Sequence, residues 1–266
     1  VASATPRIRV ADPVYNAQVI CEQAKEAAEH GAKIVVFPEL CITGYTCNDL
    51  FLQELLLEKA KEALLTIAEE TGQLETLFLV GLPVDKDGRL YNVAAVLYRG
   101  RILGMIPKKN IPMYAEFYEG RHFTPGEETV TEYRLGKQVI PFGSNLLFRC
   151  EELPELILGC ELCEDLWVAE PPSTSHALMG ATVIANLSAS NETVSKDDYR
   201  TLLIKASSAR LLCGYIYTSA GEGESTQDLV FGGHDLIAEN GTLLVQSARF
   251  TTGILYTDLD LSLIHI

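Results

Sequence analysis

"VDKDGRLYNVAAVLYRGRILGMI", residues 84–106, decides the fold class, because it interrupts an alternation of strands and helices with consecutive antiparallel strands. Asp87-Gly88 and Gly100 are the turn signals that divide it, each flanked by β-branched and apolar residues. On its N-terminal side, "RIRV" (7–10) reads as a strand. Residues 15–30 read as a helix with Ile20, Ala24, Ala27 and Ala28 on its apolar stripe and Gly31 at C′. "KIVVF" (33–37) and "TLFLVGL" (76–82) read as buried strands. Between them "DLFLQELLLEKAKEALLTIAEETG" (49–72) predicts an amphipathic helix with Asp49 as N-cap and Gly72 as its stop.

The α/β rhythm returns downstream. "LILGCEL" (156–162), a helix near 173–180, "ATVIANLS" (181–188), a helix over 197–213 closed by Gly214, and "GYIYTSA" (214–220) follow in order. "HDLIAENGTLLVQ" (234–246) is a hairpin turning at Asn240-Gly241. No repeat or Pro/Gly-rich linker divides residues 1–266, so the pattern predicts one α/β domain, a mixed sheet with helices outside.

Composition narrows the function. The net charge of −15 argues against nucleic acid or an anionic membrane as the main partner, because phosphate surfaces need clustered Lys and Arg, and Lys108-Lys109 is the only basic pair. Apolar stretches fall short of a membrane span. An odd number of cysteines, seven, with no leader-like segment ahead of them, suggests a reducing cytoplasm and thiols that act mostly as small hydrophobes.

Two of those cysteines form a C-x-x-C in "LGCELCEDLW" (158–167). A zinc site needs two more Cys or His ligands, usually a second close pair. Here the other cysteines are scattered and the histidines form no H-x₃₋₅-H. A thioredoxin-like pair opens a helix, whereas Cys160 lies inside an apolar strand and reads as core. Cys163 falls where that strand ends, the place where α/β folds present reactive groups. Glu164 and Asp165 would raise its pKa, so a base and a cation must come from elsewhere. Glu39, just past the strand at 33–37, suits a general base; Lys108, after the strand ending at Pro107, suits an oxyanion donor. Each alone reads equally well as a loop charge.

Together, "FPELCITGY" (37–45), "PKKNIP" (107–112) and "CEDLW" (163–167) resemble the Glu, Lys and Cys motifs of the nitrilase superfamily, the carbon–nitrogen hydrolases. "PKKNIPMYAEFYEGRHFTPG" (107–126), "NLSASNE" (186–192) and "GEGESTQDLVFGGHDLIAENG" (221–241) are similar to the glutaminase domain of glutamine-dependent NAD⁺ synthetases. The resemblance covers nearly the whole chain. It implies a four-layer α-β-β-α sandwich in which Glu39, Lys108 and Cys163 hydrolyse the side-chain amide of L-glutamine, with no metal or cofactor in this domain. It implies that Glu116 supports Lys108 and that Tyr114, Phe117, Ser190 and Lys196 bind the substrate. Lys196 would meet the substrate carboxylate without the bidentate fork of an arginine. Asp165 and Trp167 would shape the loop.

The family continues beyond "DLDLSLIHI" (258–266) into a synthetase domain with an S-G-G-x-D-S loop, so ATP and Mg²⁺ are expected only there, and this chain reads as part of a longer protein. "GEGES" (221–225) has the glycines of a phosphate loop but opens no helix, and it reads as a turn near the substrate pocket. The resemblance further implies a homo-oligomer and the synthetase domain as acceptor of ammonia. Two other readings stay open at this point: a stand-alone amidase or carbamoylase, and a non-enzymatic chain in which the trio is buried polar structure.

Overall fold

The computed structural model describes residues 1–263; the last three residues of "DLDLSLIHI", 264–266, lie outside the described residues. Two sheets stack face to face. The first has eight strands in the order β14 (Gly253–Tyr256), β1 (Ala2–Thr5), β2 (Ile34–Val36), β3 (Leu77–Lys86), β4 (Arg89–Tyr98), β5 (Arg101–Pro107), β7 (Gln138–Phe142) and β6 (Thr131–Leu135). The second has six: β13 (Thr242–Gln246), β12 (Leu236–Glu239), β11 (Gly214–Ser219), β10 (Val183–Ser188), β9 (Ile157–Leu162) and β8 (Leu147–Arg149).

Alternation along the strands builds the layers. Val35, Phe78, Val80, Val93 and Ala95 face helices α1 (Pro13–Glu29) and α2 (Glu54–Glu70), meeting Ile20, Ala24, Leu64 and Ile67. Their neighbours Ile34, Val36, Leu79, Ala94 and Val96 face the other sheet, against Leu158, Cys160, Leu162, Val183 and Ala185. On the far side of that sheet, Ile184, Tyr215 and Tyr217 pack against Ile204 of α4 (Lys196–Leu211), beside the short α3 (Pro172–Leu178). The result is the α-β-β-α sandwich.

The stretch 84–106 is the antiparallel β3-β4-β5 meander, turning at Asp87-Gly88 (φ 53° and 71°) and Arg99-Gly100 (φ 47° and 75°), the left-handed pair a two-residue hairpin requires. Parallel neighbours β1-β2-β3 and β9-β10-β11 converge their C-terminal ends across the sandwich. Those ends carry the candidate residues.

Three element expectations are corrected. The first strand is Ala2–Thr5, not "RIRV", since small residues buried at the sheet interface carry no hydrophobic signal, while Arg7 and Arg9 point outward. Asp49 does not cap α2, which starts after Gln53; the Asp49 carboxylate instead accepts from Arg121 at 2.7 and 2.9 Å. Leu212, in the left-handed region at φ 50°, ends α4, and Gly214 already belongs to β11. Among the described residues no helix is long and apolar enough to cross a membrane.

Candidate active site

Glu39 follows β2 through Phe37-Pro38, where the chain turns so tightly that Leu40 takes φ 51°. Gly81 of β3 makes this turn possible: a Cβ there would lie 2.3 Å from the backbone nitrogen of Leu40 and 2.6 Å from the Pro38 carbonyl. The Glu39 side chain is fully buried and fully engaged. Its Oε1 accepts from Asn92 Nδ2 at 2.7 Å and from Lys108 Nζ at 2.7 Å, and its Oε2 accepts the Ala189 N–H at 2.8 Å. Asn92, a polar residue in the middle of β4, is thus a positioning group that the hydrophobic pattern did not flag.

Lys108 stands immediately after β5, its backbone N–H donating to Asn92 O at 2.8 Å. Its ammonium also contacts Glu119 Oε1 at 2.7 Å. Burial works to lower the Lys108 pKa, but Glu119 and Glu39 overcome it and hold the amine well above its ordinary range. Burial pushes the Glu119 carboxyl up, against the pull of Lys108. Tyr45 donates its hydroxyl to Glu119 Oε1 at 2.8 Å.

Glu119 is the glutamate on Lys108, a correction to the expected Glu116. The segment 107–126 makes a left-handed step at Ala115 (φ 48°) and then a short turn over Glu119–Arg121, which swings position 119 inward. Glu116 instead accepts from Asn191 Nδ2 at 2.5 Å. From sequence, both glutamates of "YAEFYE" carried the same signal.

Cys163 opens the turn after β9 with φ 39°, a left-handed backbone that a non-glycine residue adopts at a cost of about 1–2 kcal/mol. Asp165 holds that turn. Its Oδ2 accepts the Leu162 N–H at 3.0 Å, and its Oδ1 accepts the Asn110 N–H and side-chain amide, both at 2.8 Å. The cysteine turn is thereby pinned to the segment bearing Lys108. Burial, and next the negative charge of Glu39, push the Cys163 thiol up to about 12, while Lys108 pulls it down. Cys160 lies wholly in the inter-sheet core. All seven cysteines are free, and among the described residues no three His, Cys, Asp or Glu side chains gather where a metal ion could sit.

The four residues expected to bind substrate differ in exposure and partners, and none of them lines the recess that opens beside Glu119. Tyr114 is half exposed, donates to both Glu164 oxygens at 3.0 and 2.9 Å, and meets Phe117 edge-on at 5.9 Å. Lys196, at the start of α4, lies 5.5 Å from the Phe117 ring centre and 5.2 Å from that of Trp167, and hydrogen-bonds Asn191 Oδ1. Burial lowers its pKa, opposed by the nearby Cys163. Ser190 is buried, its hydroxyl taken by the buried Arg200 at 3.3 Å. Arg200 also grips Asn191 O at 3.1 Å and Glu192 Oε1 at 2.8 Å, and sequence reasoning did not single it out. A recess walled by Tyr45, Thr46, Glu116, Glu119, Asp228 and Leu229 opens on the Glu119 side; Cys163 and Lys108 are not part of its wall.

The four-layer sandwich brings a carboxylate, an ammonium and a thiol together at its strand ends, the architecture of the αββα hydrolases. The chain belongs to the carbon–nitrogen hydrolase family, whose model matches residues 1–265. It is 43% identical over 254 residues to the glutamine-dependent NAD(+) synthetase of Mycobacterium tuberculosis H37Rv, covering 96% of this chain and 37% of that protein. It also resembles the solved glutamine-dependent NAD(+) synthetase of Cytophaga hutchinsonii, with TM-score 0.88 and 29% identity over 97% of this chain and 42% of that one. An amidase from Nesterenkonia sp. shares the fold at TM-score 0.74 and 21% identity, over 95% of this chain and 87% of that one. The chain thus spans well under half the length of its synthetase relatives.

Proposed function

We propose that this chain hydrolyses the side-chain amide of L-glutamine and delivers the ammonia to an ATP-dependent synthetase domain that amidates nicotinic acid adenine dinucleotide. The carrying observation is the buried Lys108 ammonium bridged between Glu39 and Glu119 at 2.7 Å each, in the field of Cys163. Because the thiol sits near 12, attack requires that its proton pass to Glu39 as the Cys163 sulfur closes on the carboxamide carbon. Lys108 and a backbone N–H of the Cys163 turn then face the developing oxyanion, a donor type worth about 10²–10³ in rate. Glu39 returns the proton to the leaving ammonia, and next takes one from the water that cleaves the thioester.

Lys196, beside Phe117 and Trp167, offers the positive charge that an amino-acid carboxylate requires. The 43% identity to a glutamine-dependent synthetase supports glutamine over other amides. The same reading places the chain in the cytoplasm, in a homo-oligomer, with ATP and Mg²⁺ used only by the synthetase domain. Ammonia release from L-glutamine, compared with simple amides and N-carbamoyl compounds, is the test. Turnover of those amides with none of glutamine would make the chain an amidase of the stand-alone kind.

A further inference from the structure

The "GEGES" turn holds two glutamates in opposite surroundings. Glu222 is exposed and pairs with Arg7 at 3.0 Å. Glu224 turns inward, and both of its oxygens are taken by another segment. Oε1 accepts the Tyr45 N–H at 2.6 Å, while Oε2 accepts the Thr46 N–H at 3.0 Å and the Thr46 hydroxyl at 2.6 Å. Gly223 between them has φ 108°, and a Cβ there would lie 1.9 Å from Ile8 O, so the turn is seated against the chain at one point only glycine can occupy. The Ser225 N–H returns a bond to Thr46 Oγ1 at 2.9 Å.

The joined segments are the two sides of the recess: Tyr45 and Thr46 on one, Ser225, Gln227, Asp228 and Leu229 on the other. Tyr45 also packs edge-on against Phe231 at 5.6 Å. From Tyr45 the contacts run inward, its hydroxyl to Glu119 at 2.8 Å and Glu119 to Lys108 at 2.7 Å. We propose that Glu224 is a positioning residue that clamps the 221–231 wall onto the 44–46 turn and thereby sets Tyr45, through Glu119, against Lys108. The clamp rests on the amide-hydrolysis reading. All three of its donors require an acceptor, so a carboxylate serves and a carboxamide does not.

The test compares Glu224→Gln, Glu224→Asp and Thr46→Val with Glu222→Gln, which makes the same charge change two residues away on the surface. Replacing an acceptor oxygen by an NH₂ against a backbone N–H should lower kcat for glutamine about tenfold or more, the direction in which loss of the Glu119 contact acts, with KM changing much less. Glu224→Asp should recover part of the loss, and Thr46→Val, lacking one donor, should show a smaller fall. Glu222→Gln should match the unsubstituted chain. The rate of Cys163 alkylation by iodoacetamide gives a second readout that needs no substrate, and Glu224→Gln should change it while Glu222→Gln does not. If Glu224→Gln and Glu222→Gln behave alike in kcat and in alkylation, the clamp is overturned. If no variant turns over glutamine, the hydrolase reading falls, and alkylation alone decides the clamp.

Discussion

Lys108 Nζ lies 2.7 Å from Glu39 Oε1, and both side chains are wholly withdrawn from solvent. An ammonium there is held by carboxylates instead of water, and removing it would leave Glu39 and Glu119 as uncompensated neighbours. Lys108→Ala should therefore abolish turnover and destabilise the fold by about 3–5 kcal/mol. Lys109, whose amine meets exposed Glu128 at 2.5 Å, should tolerate alanine within about 0.5 kcal/mol and keep its activity. Ammonia release and thermal melts of the two variants check both statements, and equal losses would contradict them.

Cys163→Ala should eliminate hydrolysis with the melt little changed. Cys160→Ala should keep activity and lose about 1 kcal/mol from the inter-sheet core. With the Cys163 thiol pushed up to about 12, its labelling by iodoacetamide should keep climbing above pH 9, where an ordinary thiol has levelled off. A plateau near pH 8.5 would mean that the thiol is not shielded as the structure has it.

The two glutamates of "YAEFYE" should part company. Glu119→Gln weakens the grip on Lys108 and should lower kcat by about 10²-fold, the scale of a lost electrostatic contact at a reacting centre. Glu116→Gln alters the bond to Asn191 and the field at Lys196, and should act on KM. Steady-state kinetics that showed the reverse pattern would return the supporting role to Glu116.

Asp235 gives a pH prediction unrelated to catalysis. Burial lifts its carboxyl to about 7, although Ser219 N–H and Thr5 Oγ1 donate to it at 2.9 and 2.8 Å. A pKa above the unfolded value means that the folded state holds the proton more tightly. The contribution is therefore complete below about pH 4 and is lost as pH rises through about 7, on the order of 4 kcal/mol in all. Asp235→Asn should flatten that fall. Denaturant unfolding at pH 5 and pH 8 measures it, and an unchanged slope would refute it.

Much of the site was legible because its chemistry sits where strands end. Pro38-Glu39, Pro107-Lys108 and Leu162-Cys163 each place a candidate side chain one step beyond a buried run, and local pattern suffices to find such junctions. What could not be read depends on chain reversals between those junctions. Glu116 and Glu119 are equivalent until the step at Ala115 turns one of them inward. Asn92, Arg200 and Glu224 look like misplaced or ordinary polar residues until distant segments supply their partners. The strand Ala2–Thr5 was hidden for a related reason: a position pressed between two sheets favours small side chains, which hydropathy underrates.

β1 draws its two neighbours from opposite ends of the molecule, Ala2 facing Val35 on one side and Tyr256 on the other. The Val1 nitrogen donates to Thr257 O at 2.9 Å. On a ribosome, β1 must wait for β14 before its outer edge is covered. Closing so long a loop costs entropy that only the finished sheet repays. Until residue 256 emerges, the nascent sheet carries an unpaired edge that invites association with other chains. This sheet should therefore close only after synthesis of β14, and a translation product that stops before it should be a client for chaperones.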